Sequence, residues 1–403
     1  MKIANAEWLS WPETKALIQA FNGLFVRFVG GAVRDSLLGI PVKDVDLATN
    51  IPPAQVMKIL AQSGIKTVPT GIEHGTVTAV IARRHFEITT LRRDVSTDGR
   101  RAVVAYTNDL HEDAARRDFT MNALYLDAEG EITDYWGGYE DTLSGRVRFI
   151  GKPEERISED ALRILRFFRF LAFYGREPAD KEALAACTSL AAKIETLSGE
   201  RIQQEMLKLL AAEKSADIIS LMQASNILHY VIPKTVSMES LAKLPGVLQE
   251  TGTLPDAIIA LALLLRSTDK NISELIDFIY TRWKLSRANY HRLSDLCQSS
   301  RMDINKTDEK LWKKQIRHLG KHDFIAHVII AMAEGSNNEA GLQAINLVSR
   351  WQIPTFPLTG NDLIMHGVKP GKEMGLLLER LERYWEEKDY APGKEELMKT
   401  LST

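Results

Sequence analysis

The pattern of apolar and polar positions divides the chain into two halves. Up to about Ile150, short apolar runs with strand-like alternation are separated by turns and brief helices. After Gly151-Lys152-Pro153 the strand signals nearly vanish, and apolar residues recur at helical spacing. We therefore predict an α+β protein, with a small α/β head built on a short mixed sheet and an all-α neck, body and tail behind it.

The individual elements follow from the same pattern. Candidate strands are 24–29, 45–48, the hairpin 76–82 with 85–91, and the hairpin 124–127 with 131–135. Candidate helices are 12–21, 32–38, the segment from Pro53 to Gly64, 157–174, 200–210, 256–265 and 272–283. Ser10 and Glu13 form a capping-box pattern at the first helix. We place the domain boundaries so that residues 1–150 form the head, 151–215 the neck and 216–403 the body and tail.

Composition narrows the class of protein. A hydrophobic content of 45% and a charged content of 26% are typical of a soluble globular chain. Because the net charge is only −2, binding to RNA would need local basic patches. Cys187 and Cys297 lie far apart in the sequence, which argues against a disulfide framework and a thiolate zinc site. Without a signal-peptide pattern or a long apolar run, we expect a cytoplasmic protein with no membrane partner.

The segment from Val29 to Asn50, VGGAVRDSLLGIPVKDVDLATN, carries the most chemical information. Asp44 and Asp46 are separated by one residue on a short strand, so both carboxylates point to one face. Such a pair suits two Mg²⁺ ions, although an Asp-X-Asp pattern is also common on surface turns. Gly30-Gly31 lies between a strand and a helix and would let backbone N–H groups approach a triphosphate, with Arg34 one turn further on.

Together these features resemble the polymerase-β-like nucleotidyltransferases, and among them the bacterial family of CCA-adding enzymes and poly(A) polymerases. The resemblance implies that Asp44 and Asp46 are catalytic metal ligands, and that Gly31 and Arg34 contact the triphosphate. Glu87, on the neighbouring predicted hairpin, is the candidate for a third catalytic carboxylate. It is equally compatible with an exposed strand residue.

The sequence RRDFTMNA, from Arg116 to Ala123, could be a solvated charge run before an apolar segment. It also resembles the family's second motif at all eight positions. By that resemblance, Arg117 and Asp118 contact the ribose of the incoming nucleotide, which would select NTP over dNTP.

The sequence SEDALRILRFFRF, from Ser158 to Phe170, resembles the third motif. Asp160 and Arg163 are three residues apart, which predicts one helix face, and Arg166 and Arg169 extend the row. Although most such pairs are simple ion pairs, an accepting carboxylate beside a donating guanidinium matches both cytosine and adenine. Guanine and uracil present the opposite order and would leave polar groups unpaired, at a cost of ~1–3 kcal/mol each. The resemblance assigns base reading to Asp160 and Arg163, and phosphate or base contacts to Arg166 and Arg169.

Three further segments resemble the family. They are its hinge (GGYEDTLSGRVRFIG, 137–151), its neck-stabilising motif (LSGERIQQEMLKLL, 197–210) and the tail element that grips the transfer RNA elbow (LTGNDLIMHGVKPGKEMG, 358–375). The neck motif places Arg201 and Glu205 one helical turn apart. His322-Asp323 resembles half of an HD phosphohydrolase motif, but without a full ligand set we interpret Asp323 as a helix N-cap.

Residues 92–106, RRDVSTDGRRAVVAY, predict a hairpin with its tip at Asp98-Gly99. They resemble the flexible loop that the family uses to change from CTP to ATP. The Gly-Arg-Arg-Phe-Arg signature and the long basic tail of the poly(A) branch are missing. The resemblance thus implies Mg²⁺-dependent addition of CCA to transfer RNA, bound at its acceptor stem and elbow, from CTP and ATP with release of pyrophosphate. A poly(A) polymerase, an A-adding enzyme and a catalytically silent RNA-binding protein are the alternatives.

Overall fold

The computed structural model describes the chain apart from residues 1, 4–5, 99–100, 177, 235, 267–270, 299–303, 305–306 and 402–403; for 94–98 and 101–104 it describes the backbone alone. The chain forms two compact units, Met1–Met238 with Thr268–Tyr290, and Glu239–Ser267 with His291–Thr403.

The first unit contains the strands. They are β1 (Val26–Val29), β2 (Val45–Thr49), β3 (Lys66–Gly71), β4 (Thr76–Ile81), β5 (Arg84–Thr90), β6 (Arg92–Asp98), β7 (Arg101–Tyr106), β8 (Leu124–Leu126) and β9 (Ile132–Asp134). A seven-stranded sheet has the order β3-β4-β5-β2-β1-β8-β9, while β6 and β7 form a separate ribbon. Among the described strands, β2 and β5 alone pair in parallel, so the large sheet is mixed, as predicted. The tip of the predicted 92–106 hairpin lies outside the described residues.

The sheet buries a different cluster on each face because its strands alternate in side-chain direction. One face carries the larger core, which includes Phe28, Leu47 and Phe86 and is covered by helices from the N-terminal segment. The other face carries a smaller cluster around Val29 and Tyr125.

The helices of the first unit, in chain order, are α1 (Pro12–Phe21), α2 (Gly31–Leu37), α3 (Pro53–Gln62), α4 (Leu110–Ala115), α5 (Gly138–Ser144), α6 (Pro153–Glu159), α7 (Leu162–Tyr174), α8 (Lys181–Ser189), α9 (Gly199–Leu210) and α10 (Ser215–Ala224). A later helix, α13 (Ile272–Trp283), belongs to the same unit. The capping box predicted for α1 is wrong, because Trp11 is the N-cap residue and the Ser10 hydroxyl donates to the Glu7 carbonyl instead, at 2.6 Å.

The remaining helices are α11 (Glu239–Thr251), α12 (Ala257–Arg266), α13 (Ile272–Trp283), α14 (Arg287–Gln298), α15 (Glu309–Ala333), α16 (Asn338–Arg350), α17 (Gly360–Met365), α18 (Lys372–Glu387) and α19 (Lys394–Lys399). Around Leu363 and Trp385, the last three pack a small core of their own. Within the described residues, no helix combines the length and the apolar character needed to cross a bilayer.

Asp323 is not a helix N-cap, contrary to the sequence-based interpretation. It lies inside α15, three residues after a kink at Gly320, where φ is 79°. Its carboxylate instead accepts a hydrogen bond from Arg292 Nε at 3.0 Å. The Asp323 side chain therefore fixes α14 to α15.

Candidate active site

One row of paired residues crosses the second face of the large sheet. Thr78 pairs with Glu87, Glu87 with Asp46, Asp46 with Val29, and Val29 with Tyr125. Residues directly opposite each other on neighbouring strands point to the same face. The side chains of Glu87, Asp46 and Tyr125 therefore share one surface of the head.

The carboxylates of this row are open to solvent. Asp44 precedes β2, Asp46 lies on it, and both are exposed, as is Glu87 on β5. Although Asp46 is exposed overall, loss of water around its carboxylate raises its pKa to about 6. The charge of Glu87 acts in the same direction, Arg117 opposes it, and Asp44 adds a smaller increase. Glu87 is thus a close electrostatic neighbour of Asp46.

The carboxylates of Asp44, Asp46 and Glu87 fit a divalent cation. The negative charges of Glu87 and Asp44 repel the charged form of Asp46, and a bound cation would offset that repulsion. In the described part of the chain, no three or more His, Cys, Asp or Glu side chains are arranged to hold a metal by themselves. Mg²⁺ commonly uses one or two protein carboxylates and completes its shell with water and substrate phosphates. Asp44 and Asp46, with Glu87 beside them, suit that incomplete kind of site.

The glycine turn lies next to the carboxylates. Gly30 has φ of 73°, a left-handed conformation that favours glycine, and it is the N-cap residue of α2. Arg34, one turn into α2, is only 7% exposed. Its guanidinium donates to Asn122 Oδ1 and to the Tyr174 hydroxyl, both at 2.6 Å, and to Asp35. The predicted triphosphate contact therefore also joins α2 to α7.

Arg117 is held by a buried carboxylate that the sequence analysis did not single out. Asp113, on α4, is 1% exposed and accepts bonds from Arg116 and Arg117. The Tyr125 hydroxyl also donates to it, at 2.7 Å. Although burial alone would raise the pKa of Asp113, the two arginines and the Tyr125 hydroxyl hold it well below its ordinary value.

Asp118, the neighbour of Arg117, is buried and bonded on both carboxylate oxygens. Arg166 Nε donates to one oxygen at 2.7 Å, while Asn122 Nδ2 and the Phe119 N–H donate to the other at 2.9 and 2.8 Å. Burial alone would raise the pKa of Asp118, but Arg166 and these donors hold it well below its usual range. Asn122 thereby links Asp118 to Arg34.

The prediction that Asp160 and Arg163 share one helix face is wrong. The helix predicted over 157–174 breaks into α6 and α7, with Asp160 between them in an extended conformation. The break has a local cause, because the Asp160 side chain accepts the Leu162 N–H at 3.1 Å in competition with a continuous helix. Asp160 pairs instead with Arg201 of α9, through two bonds of 3.0 and 2.7 Å.

Arg163 lies close to the head. It donates to the backbone carbonyls of Arg156 and Arg116, at 2.7 and 3.1 Å, and contacts Glu159. On the same helix, Arg169 donates to Glu205 of α9 at 2.5 Å. The neck motif of the sequence therefore supplies the partners of both Asp160 and Arg169.

The sequence analysis did not identify several residues that hold the predicted site residues in place. Asp113 could have been identified from the sequence, because it precedes Arg116 and Arg117 by three and four residues, the spacing of ion pairs on a helix. No sequence spacing indicated Asn122, Tyr125 or Tyr174, because their contacts with Arg34, Asp113 and Arg117 form only on folding.

Known proteins resemble this chain over nearly its whole length. The family model described as "Poly A polymerase head domain" matches residues 26–148, and "Probable RNA and SrmB- binding site of polymerase A" matches residues 179–238. Human "CCA tRNA nucleotidyltransferase 1, mitochondrial" is 33% identical over 97% of this chain and 92% of its own. A "CCA-adding enzyme" of Streptococcus pyogenes is 35% identical over 88% and 87%. The crystal structure of the Bacillus stearothermophilus CCA-adding enzyme in complex with CTP has a TM-score of 0.73 at 26% identity, covering 94% of this chain and 93% of that one.

Proposed function

Because this chain belongs to the family of CCA-adding enzymes and poly(A) polymerases, we propose that its head uses Asp44, Asp46 and Glu87 to add C, C and A in turn to a transfer RNA 3′ end. The chain is a CCA tRNA nucleotidyltransferase, with CTP and ATP as its substrates and pyrophosphate as the product released. The strand pairing supports this assignment of residues. Asp46 lies opposite Glu87 on one neighbouring strand and opposite Val29, the residue before the Gly30 turn, on the other.

We assign two Mg²⁺ ions to Asp44 and Asp46, with Glu87 as the third carboxylate. When bound there, such ions would activate the attacking 3′ hydroxyl and neutralise charge on the departing pyrophosphate. The chain's own residues position the reactants around this point. The backbone N–H groups of Gly30 and Gly31, together with Arg34, bind the triphosphate, and Arg117 and Asp118 bind the ribose.

We assign selection of the base to the neck, residues 151–215. The Asp160 carboxylate accepts from the exocyclic amino group that cytosine and adenine share, and Arg163 donates to the adjacent ring nitrogen. Arg166 and Arg169 add phosphate or base contacts. Because Asp160 is fixed by Arg201 and Arg169 by Glu205, this set is held by protein contacts before a nucleotide arrives. Guanine and uracil would present an acceptor to the Asp160 carboxylate and a donor to Arg163, at a cost of about 1–3 kcal/mol for each mismatched group.

We assign the neck to residues 151–215 and transfer RNA binding to residues 216–403. The acceptor stem is the part of the transfer RNA that we assign to the head, and the elbow is the part that we assign to the tail. We also assign the protein to the cytoplasm, which the two free, buried cysteines support. Cell fractionation tests the compartment, because the human relative is named as mitochondrial.

Poly(A) tailing is the second candidate, because both matching family models are named for poly(A) polymerases. CCA addition is favoured because the human and Streptococcus pyogenes relatives, which match over 97% and 88% of this chain, are named for CCA addition.

The test is incorporation from each labelled NTP, with Mg²⁺, onto transfer RNA that ends in the discriminator base, in C or in CC. We expect C, C and A in order, followed by a stop, and no incorporation by Asp46→Asn. Addition of A alone to the CC end would identify an A-adding enzyme. Long adenosine tails on unrelated RNA would identify the protein as a poly(A) polymerase, and no incorporation at all would favour a catalytically silent RNA-binding protein.

A further inference from the structure

The guanidinium of Arg117 is held by a closed triangle of hydrogen bonds. Arg117 donates through Nη2 and Nε to Asp113 Oδ2, at 3.0 and 3.3 Å. The Tyr125 hydroxyl donates to the same oxygen at 2.7 Å and accepts from Arg117 Nε at 3.2 Å. Because Tyr125 is 0% exposed and Asp113 1% exposed, solvent does not replace these bonds easily.

The third nitrogen of the guanidinium is placed differently. Arg117 Nη1 lies 3.9 Å from the point that a Cβ atom on Gly30 would occupy. Among the described residues, Nη1 makes no hydrogen bond, whereas Nε and Nη2 both do. The triangle therefore orients the guanidinium so that one donor remains available beside the glycine turn.

The triangle is also connected through the sheet to the row of paired residues that contains Asp46 and Glu87. Tyr125 pairs with Val29, which pairs with Asp46, so Tyr125 stands two strands from Asp46 on the same face. Neighbouring strands are about 4.8 Å apart, which places the two residues at roughly 10 Å. Arg117, which is bonded to the Tyr125 hydroxyl, is close enough for its charge to act on the Asp46 carboxylate.

We propose that the Tyr125 hydroxyl and the Asp113 carboxylate are positioning residues for Arg117, and that they set the preference of the enzyme for ribonucleotides over deoxyribonucleotides. This inference rests on the proposed role of Arg117 at the ribose. Neither Tyr125 nor Asp113 touches the nucleotide; together they fix the direction of the Nη1 donor, and so the place where a ribose hydroxyl can accept from it. If the Arg117 guanidinium were held less firmly, its Nη1 donor would bind the ribose hydroxyl less well, and the difference in affinity between ribonucleotides and deoxyribonucleotides would shrink.

The primary test is Tyr125→Phe, which keeps the buried ring and removes only the hydroxyl. We measure kcat/KM for ATP and for dATP on transfer RNA ending in CC. The Tyr125 hydroxyl bonds two charged groups, but Asp113 still holds Arg117 when that hydroxyl is removed, so we expect the ATP preference to fall by about fivefold. Asp113→Asn, which weakens the bonds to Arg117 as well, should lower it by about twentyfold. Tyr390→Phe is the matched control, because its buried hydroxyl has no hydrogen-bond partner in the described part of the chain.

A double-mutant cycle separates positioning from a purely structural role. In an Arg117→Gln background, Tyr125→Phe should leave the ATP to dATP ratio unchanged, because the residue it positions is gone. An equal loss of activity with both nucleotides at an unchanged ratio, in Tyr125→Phe alone, would overturn the inference. If Tyr125→Phe does not fold, Asp113→Asn replaces it in the cycle.

The same cycle distinguishes failure of the inference from failure of the proposed function. If Arg117→Gln itself leaves the ratio unchanged, Arg117 does not bind the ribose, and both its proposed role and this inference are wrong, while ordered incorporation of C, C and A would still support the proposed function. If Arg117→Gln lowers the ratio but neither Tyr125→Phe nor Asp113→Asn does, only the positioning inference is wrong.

Discussion

The pair between Asp160 and Arg201 leads to a prediction about base selection. If Asp160 accepts from the amino group of cytosine or adenine, its carboxylate must hold one orientation. Arg201 supplies that restraint through bonds of 3.0 and 2.7 Å, across a break between α6 and α7 that otherwise leaves Asp160 outside any helix. Arg201→Gln removes the positive charge and one of the two parallel hydrogen bonds to Asp160, while it keeps a polar side chain.

The size of the effect follows from the environment of the pair. Hydrogen bonds to charged groups contribute about 1.5–3 kcal/mol each. Because the side chains of Arg201 and Asp160 are 28% and 25% exposed, solvent screens the pair, and we take about 1.5 kcal/mol for the whole restraint. Since 1.4 kcal/mol corresponds to a factor of ten, Arg201→Gln should lower the preference for ATP over GTP by about tenfold. Arg201→Lys keeps the charge but not the two parallel bonds, so its effect should be intermediate.

The assay is single-turnover incorporation of ATP and of GTP onto transfer RNA ending in CC, with kcat/KM compared for each nucleotide. Lys208→Gln is the control, because it removes a positive charge from an exposed position of the same helix, α9. The reasoning fails if Asp160→Asn removes the preference while Arg201→Gln changes it by less than twofold. It also fails if Arg201→Gln lowers activity with both nucleotides equally, since Arg201 would then support only the fold of the neck.

Further expected outcomes concern the carboxylates. Glu87→Gln should lower kcat by about 100-fold, because one of the charges beside Asp46 is lost. Glu131→Gln changes an exposed residue just before the edge strand β9 and should leave kcat unchanged in the same incorporation assay. Removal of divalent ions with EDTA should abolish incorporation, and Mg²⁺ should restore it; activity that persists without divalent ions would exclude the assignment to Asp44 and Asp46. The pKa of Asp113 is lower in the folded than in the unfolded chain, so its charge stabilises the fold above about pH 4, and this stabilisation declines as the pH falls further. Unfolding by urea should therefore show a difference between wild type and Asp113→Asn that is constant from pH 7 to 5 and shrinks below pH 4.

Local patterns predicted most of the elements that form the site. The alternation in 76–91 predicted β4 and β5, and the glycine pair predicted the turn before α2, because these features are encoded by neighbouring residues. Strand β3 was not predicted. It lies at the edge of the sheet with most of its side chains exposed, so it lacks the alternation of buried and exposed positions that identifies a strand.

The contacts of the site were less predictable, because they join distant parts of the chain. Asp46 and Glu87 meet through the parallel pairing of β2 with β5, and no sequence spacing specifies that register. Asp118 and Arg166 are 48 residues apart, and Asp160 and Arg201 are 41 apart. The helical spacing around Asp160 even predicted the wrong partner, because the bond from Leu162 N–H to its side chain ends one helix and begins the next.

The site residues therefore fall into two groups, and the division follows from the proposed chemistry. The carboxylates of Asp44, Asp46 and Glu87 are exposed, as ligands that complete a metal shell with substrate phosphates should be. The side chains assigned to the sugar and the base, such as Asp118 and Asp160, are already bonded to protein partners. Flexible side chains could reorient to satisfy guanine or uracil, and discrimination would be lost. An enzyme that selects bases without a nucleic-acid template needs donors and acceptors whose directions are fixed beforehand. We therefore expect the contacts of Arg201 with Asp160 and of Glu205 with Arg169 to contribute to base selection.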